Sequence, residues 1–137
     1  MTDLFVDTSA FYALADKKDT NHRRARAFLT ALERAGRALV TSTDVFDETV
    51  TLVRHRLGHR AAVILGDKLV DSRWCRIVEV MDDTRSGAWD IFVRYADQTF
   101  SFTDCTSFAT MRAMHLTEAF TFDRRDFAAA GFVVRPD

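Results

Sequence analysis

Four acidic residues stand where the character of the chain changes. Asp7 closes the apolar run Leu4-Phe5-Val6, and Asp123 closes Ala119-Phe120-Thr121-Phe122. Glu48 lies on an amphipathic segment, with Val45 three residues before it and Leu52 four after, which places it at the margin of the apolar stripe while Asp47 points to solvent. Asp104 heads another stripe with Phe108, Met111 and His115. Each has a plain structural role open to it. Asp7 and Asp123 suit helix N-caps, and Asp126, one turn after Asp123, fits the same short helix. Asp104 completes a capping box with Ser101. Glu48, read as facing inward, is costly to bury unless a cation meets it, and an arginine is one candidate.

Taken together, the four say more. Carboxylates that share a small cleft repel one another unless cations offset the charge. An oxygen-only donor set suits Mg2+ or Mn2+ rather than zinc. Such ions acidify water and clamp a phosphodiester for in-line attack, so the expected chemistry is metal-assisted hydrolysis. The charge make-up agrees: aspartate supplies 16 of the 20 acids and arginine 16 of the 19 bases, although net charge is only −1. Arginine's planar fork grips phosphate at two points.

These residues need a scaffold, and the hydrophobic pattern supplies one. Short strands are expected at Leu4–Val6, Ala38–Val40, Ile77–Val80, Ala119–Phe122 and Phe132–Val134. Helices are expected over Ala10–Ala15, Asn21–Gly36, Asp44–Leu57, His59–Asp71, Ala88–Ala96 and Thr103–Leu116. On the fifth helix Trp89, Phe92, Val93 and Ala96 are expected to face the core. Strands alternating with helices imply an α/β fold: a three-layer α/β/α sandwich around a mainly parallel sheet of four to five strands. A chain of 137 residues reads as one domain, 1–137. In such sheets ligands bind beyond the carboxyl ends of the strands, which is where Asp7 and Asp123 fall.

The segments Phe5-Val6-Asp7-Thr8-Ser9-Ala10, Phe46-Asp47-Glu48-Thr49-Val50-Thr51-Leu52, Ser101 through Ala109, and Phe120 through Phe127 resemble, in order and spacing, the PIN domain. The likeness is to the VapC toxins of bacterial toxin–antitoxin pairs in particular, and it runs over essentially the whole chain. It implies a metal-dependent endoribonuclease that uses Mg2+ or Mn2+ and acts on transfer or ribosomal RNA. It also implies a homodimer with a cognate antitoxin as protein partner. By motif, Asp7, Glu48, Asp104 and Asp123 become the acidic quartet, with Thr8, Ser9 and Ser101 as polar helpers and Asp126 in a lesser supporting place. Asp47 stands where the family commonly has asparagine, a departure that touches a contact around the quartet and not the quartet itself.

Other features read more quietly. His22, His55, His59 and His115 lack metal-ligand pairing: Gly58 breaks the helix that His55 and His59 would need to share, and His115 is expected at the core end of its stripe. Cys75 and Cys105 are expected as buried thiols in a reducing compartment. Arg23, Arg24, Arg26, Arg54, Arg56 and Arg60 form basic faces that are either simply solvated or a rim for RNA phosphates. No leader-like or membrane-length apolar run is present, so a cytoplasmic location is expected. Two rival readings are a PIN-like module that binds RNA or a partner without cutting, and a receiver-type phospho-acceptor. The latter needs paired acids early and a lysine after a late strand, and the only lysines, Lys17, Lys18 and Lys68, are not so placed.

Overall fold

The computed structural model describes residues 3–71 and 73–137. Among them the elements run β1 (Leu4–Val6), α1 (Thr8–Ala15), α2 (His22–Arg34), β2 (Leu39–Ser42), α3 (Thr43–Leu57), α4 (His59–Leu69), β3 (Cys75–Val78), α5 (Asp82–Arg94), α6 (Phe102–Ala113), β4 (Glu118–Phe120), α7 (Arg124–Ala129) and β5 (Val133–Arg135). The strands form one all-parallel sheet in the order β3-β2-β1-β4-β5, flanked by the helices. This is the expected α/β/α sandwich. Central β1 is buried at every position, as both faces of a covered parallel sheet require. Phe5, Phe11, Phe108, Phe120 and Phe127 are fully buried around it.

Helix boundaries follow local chemistry. Ser42 caps α3 by accepting the Val45 N–H at 3.1 Å. Gly58 ends α3 at φ +99°, a conformation that favours glycine, so His55 and His59 do lie on separate helices. Both cysteines are buried, and burial pushes Cys75 up to about 12 and Cys105 up to about 11, which keeps them as thiols.

Several expectations need correction. Strand β3 starts two residues earlier than the Ile77–Val80 reading, in register with β2 from Leu39↔Cys75 onward. Helix α5 starts at Asp82 rather than Ala88. It also presents the opposite face: Ala88 and Ile91 are buried, whereas Trp89, Phe92, Val93 and Ala96 are exposed. The reason is close packing of α5 on α6 through small residues, for a Cβ at Gly87 would lie 4.0 Å from the Ala109 Cβ. The bulky residues are left outside, where Trp89 stacks on Phe92 and both meet Phe102 edge-on, at centroid distances of 5.7–6.2 Å. His115 is exposed at φ +57°, just beyond the end of α6, and does not line the core.

Candidate active site

The chain lays β2 and β3 on one side of β1, then β4 and β5 on the other. Parallel loops leaving β1 and β4 therefore diverge to opposite faces and open a crevice between them, the switch point where doubly wound folds bind ligands. Asp7 leaves β1 here, its N–H bonded to the Phe120 carbonyl of β4 at 3.0 Å. The resulting cleft, about 570 Å³, is lined by Asp7, Glu48, Asp104, Asp123 and Asp126.

Asp7 is 5% exposed. It is a helix cap and a cleft residue at once, for Oδ2 accepts the Ser9 N–H at 3.4 Å while two hydroxyls reach the same atom. Ser9 Oγ donates at 2.9 Å and Thr121 Oγ1 at 3.0 Å. Each hydroxyl in turn accepts a backbone N–H, Phe122 to Ser9 at 2.8 Å and Asp123 to Thr121 at 2.9 Å. With both protons committed to Asp7, the 3.1 Å contact between the two hydroxyls carries none. Burial pushes the Asp7 carboxyl above its usual range, and the Ser9 and Thr121 bonds oppose that push. Thr8 is buried and accepts from Thr49 at 3.1 Å, tying α1 to α3.

Asp104, Asp123 and Asp126 each offer an oxygen within 4.8 Å of the others. The capping box at Ser101 is present: the Asp104 N–H donates to Ser101 Oγ and the Ser101 N–H to Asp104 Oδ2, each at 3.0 Å. That reciprocal pair fixes the Asp104 carboxylate at the cleft wall. Asp123 sits at the N-cap position of α7 without a capping bond from its side chain, so the cap reading fails there. Asp126 is buried, with Thr99 Oγ1 donating to it at 3.5 Å, and stands closer to the centre of the cluster than its expected supporting place. Burial raises Asp104 to about 7, helped by the charges of Asp7 and Asp123. Burial likewise raises Asp123 to about 6, with Asp126 and Asp7 adding to it.

Glu48 corrects the reading in another way. It is exposed on the cleft's rim rather than turned inward, so no arginine is needed to meet it. Thr121 was not singled out from the sequence, although its place just past β4 mirrors that of Asp7 past β1. Of the six arginines, Arg56 alone lines the cleft. Arg24 lies at its margin, 5.7 Å over the Phe122 ring, and also donates to the Asp137 carbonyl. Arg23, Arg54 and Arg60 are exposed, with Arg54 against His59, and Arg26 lines a separate groove with Lys17 and Lys68. No lysine lines the acidic cleft among the described residues, which removes the receiver-type arrangement.

The residues fit a hard divalent cation: three clustered carboxylates, a fourth buried beside them, and proton affinities raised first by burial, with neighbouring carboxylate charge adding at Asp104 and Asp123. One consequence is measurable. An acid whose folded pKa exceeds its unfolded value destabilises the fold once ionised, so stability falls as pH rises through the interval between the two. For Asp104 that interval runs from 3.8 to about 7. In chelator, the melting temperature should therefore climb as pH is lowered from 7.5 toward about 5, and Asp104→Asn should flatten the slope. A wild-type melting temperature that rises with pH over this range would contradict the assignment.

The chain belongs to the PIN domain family, which it matches over residues 4–133. It is 40% identical over 135 residues to the 23S rRNA-specific endonuclease VapC20 of Mycobacterium tuberculosis (strain ATCC 25618 / H37Rv), spanning 98% of this chain and 99% of that protein. The crystal structure of Mycobacterium tuberculosis VapC20, described as a sarcin–ricin loop cleaving toxin, superposes with a TM-score of 0.85 at 39% identity, covering 96% of this chain and 97% of that one. The FitAcB structure from Neisseria gonorrhoeae shares the fold at 19% identity, with a TM-score of 0.71 over 96% and 95% of the two chains. Among the described residues no helix is long and apolar enough to cross a membrane.

Proposed function

We propose that this chain is a metal-dependent endoribonuclease that cuts 23S ribosomal RNA at the sarcin–ricin loop, and that it is the cytoplasmic toxin of a toxin–antitoxin pair. The observation that carries the reading is the acidic cluster at the β1/β4 switch point in a PIN fold. The RNA target follows from full-length similarity to VapC20. Asp104, Asp123 and Asp126 would hold Mg2+ or Mn2+, with Asp7 beside them and Glu48 at the rim, so that the quartet is joined by Asp126 as a fifth acid. The ion, when bound, supplies Lewis-acid polarisation of the phosphodiester and acidification of the attacking water. The protein's part is positioning. Ser9 and Thr121 hold the Asp7 carboxylate in one orientation, the Ser101 capping box does the same for Asp104, and Thr99 steadies Asp126.

The test is cleavage of purified 23S rRNA in chelator and in millimolar manganese. A single cut in the sarcin–ricin loop with manganese alone is expected. Cleavage of transfer RNA instead would move the substrate, and no cleavage of either would favour the non-cutting module. The toxin reading expects a small antitoxin to co-purify from the native locus, inserting a basic side chain into the acidic cleft. A homodimer belongs to the same reading, and Met81 just before α5 with Trp89, Phe92 and Val93 on it are exposed apolar side chains that such a contact would cover. Light scattering at twice the chain mass, reduced to the monomer by Trp89→Asp with Phe92→Asp, checks it.

A further inference from the structure

Among the described residues Arg56 is the only cation lining the acidic cleft, yet it makes no ion pair with any of the six acids there. Its guanidinium instead lies 5.0 Å over the ring of Tyr12, which also lines the cleft. Tyr12 is itself fixed: the side chain is buried, and its hydroxyl donates to Asp16 Oδ2 at 2.6 Å. The other Asp16 oxygen accepts the Lys18 N–H at 2.9 Å, so the anchor is tied to the backbone of the α1–α2 loop. An arginine free to neutralise carboxylates would fold onto them. This one is held on the aromatic face of Tyr12, two turns beyond Glu48 on α3, and it stays exposed, so its planar fork keeps donors available.

We propose that Arg56 binds a phosphate of the RNA backbone flanking the bond to be cut, and that Tyr12 is the positioning residue that holds the guanidinium off the acids of the cleft. A cleft with acids alone would repel a polyanion. A cation in the same cleft that pairs with none of its acids gives the chain a fixed point and sets its register against them. Arg54 and Arg60, which lie outside the cleft, are assigned no such part. The inference rests on the ribonuclease reading and deepens it.

The experiment measures binding of a sarcin–ricin-loop RNA hairpin by fluorescence anisotropy in chelator, between about 50 and 200 mM salt, with cleavage in manganese measured alongside. Arg56→Ala should raise Kd roughly tenfold at the lower salt and make the slope of log Kd against log salt shallower by about one phosphate contact. Its melting-temperature gain from manganese should stay near wild type, because Arg56 pairs with none of the acids. Arg56→Lys should keep the salt slope and recover only part of the affinity, because a point charge replaces the fork. Tyr12→Phe keeps the ring and loses the Asp16 anchor; it should weaken binding a few-fold in the wild-type background and have no further effect in Arg56→Ala. An unchanged salt slope in a folded, manganese-responsive Arg56→Ala protein would overturn the inference while leaving the ribonuclease reading intact. Failure of the wild type to cleave the hairpin in manganese would overturn that reading, and this inference with it.

Discussion

Asp104→Asn and Asp7→Asn should each lower manganese-dependent RNA cleavage by at least about 100-fold while far-ultraviolet circular dichroism stays native. Even groups one step removed from a metal commonly cost about 10- to 100-fold when removed, so loss of a direct ligand should exceed that. Asparagine preserves the shapes that matter for folding. At Asp7 its carbonyl oxygen still accepts from Ser9 and Thr121, and at Asp104 it still accepts the Ser101 N–H. What disappears is charge. Asp126→Asn should fall as far as Asp123→Asn, because the two carboxylates share one cluster with Asp104. Asp90→Asn, exposed on α5 away from the cleft, should remain within about twofold and serves as the control. Retained activity in both Asp7→Asn and Asp104→Asn would sink the site assignment.

The same cluster makes a stability prediction with the opposite sign. Burial already raises the proton affinity of Asp7, and its ionised form repels Asp104 and Asp123. Without metal, Asp7→Asn should therefore melt above wild type at neutral pH, by a few degrees for roughly 1 kcal/mol. Manganese binds the folded cluster and should raise the wild-type melting temperature. In Asp7→Asn that gain should be much smaller, so the order of the two proteins reverses between chelator and millimolar manganese. A mutant that melts lower in chelator and gains as much from manganese as wild type would show Asp7 to be a helix cap only. The Ser9 N–H bond at 3.4 Å is long for a cap, which favours the reversal.

Much of this site was legible from local patterning. Strand β1 is an apolar run that stops at Asp7, and that abrupt stop marks both the end of a buried strand and the sheet edge where ligands bind; β4 instead runs Glu118–Phe120 and ends three residues before Asp123, short of the Ala119–Phe122 reading. The Ser101–Asp104 capping box is written in a spacing of three residues and formed as read. Such features depend only on near neighbours in the chain. Periodicity also groups the residues of a helix into stripes, but it does not say which stripe faces inward when two are apolar. On α5 that choice fell to α6, whose Ala109 admits Gly87 and Ala88 closely and leaves Trp89 and Phe92 outside.

The remaining decisions were tertiary for the same reason. Asp126 comes close to Asp104 because fully buried Phe127 anchors α7 and turns its first turn toward the sheet edge. Glu48 lies at the rim because α3 buries Val45, Thr49 and Val53, a stripe that passes beside it. Thr121 meets Asp7 across 114 positions only through the pairing of β1 with β4. Arg56 meets Tyr12 through the packing of α3 on α1. The sequence by itself determined the types of the acids and the strand ends that carry them. Which acids share a cluster, and which single arginine faces it, depended on contacts between segments far apart in the chain, and no local spacing encodes those.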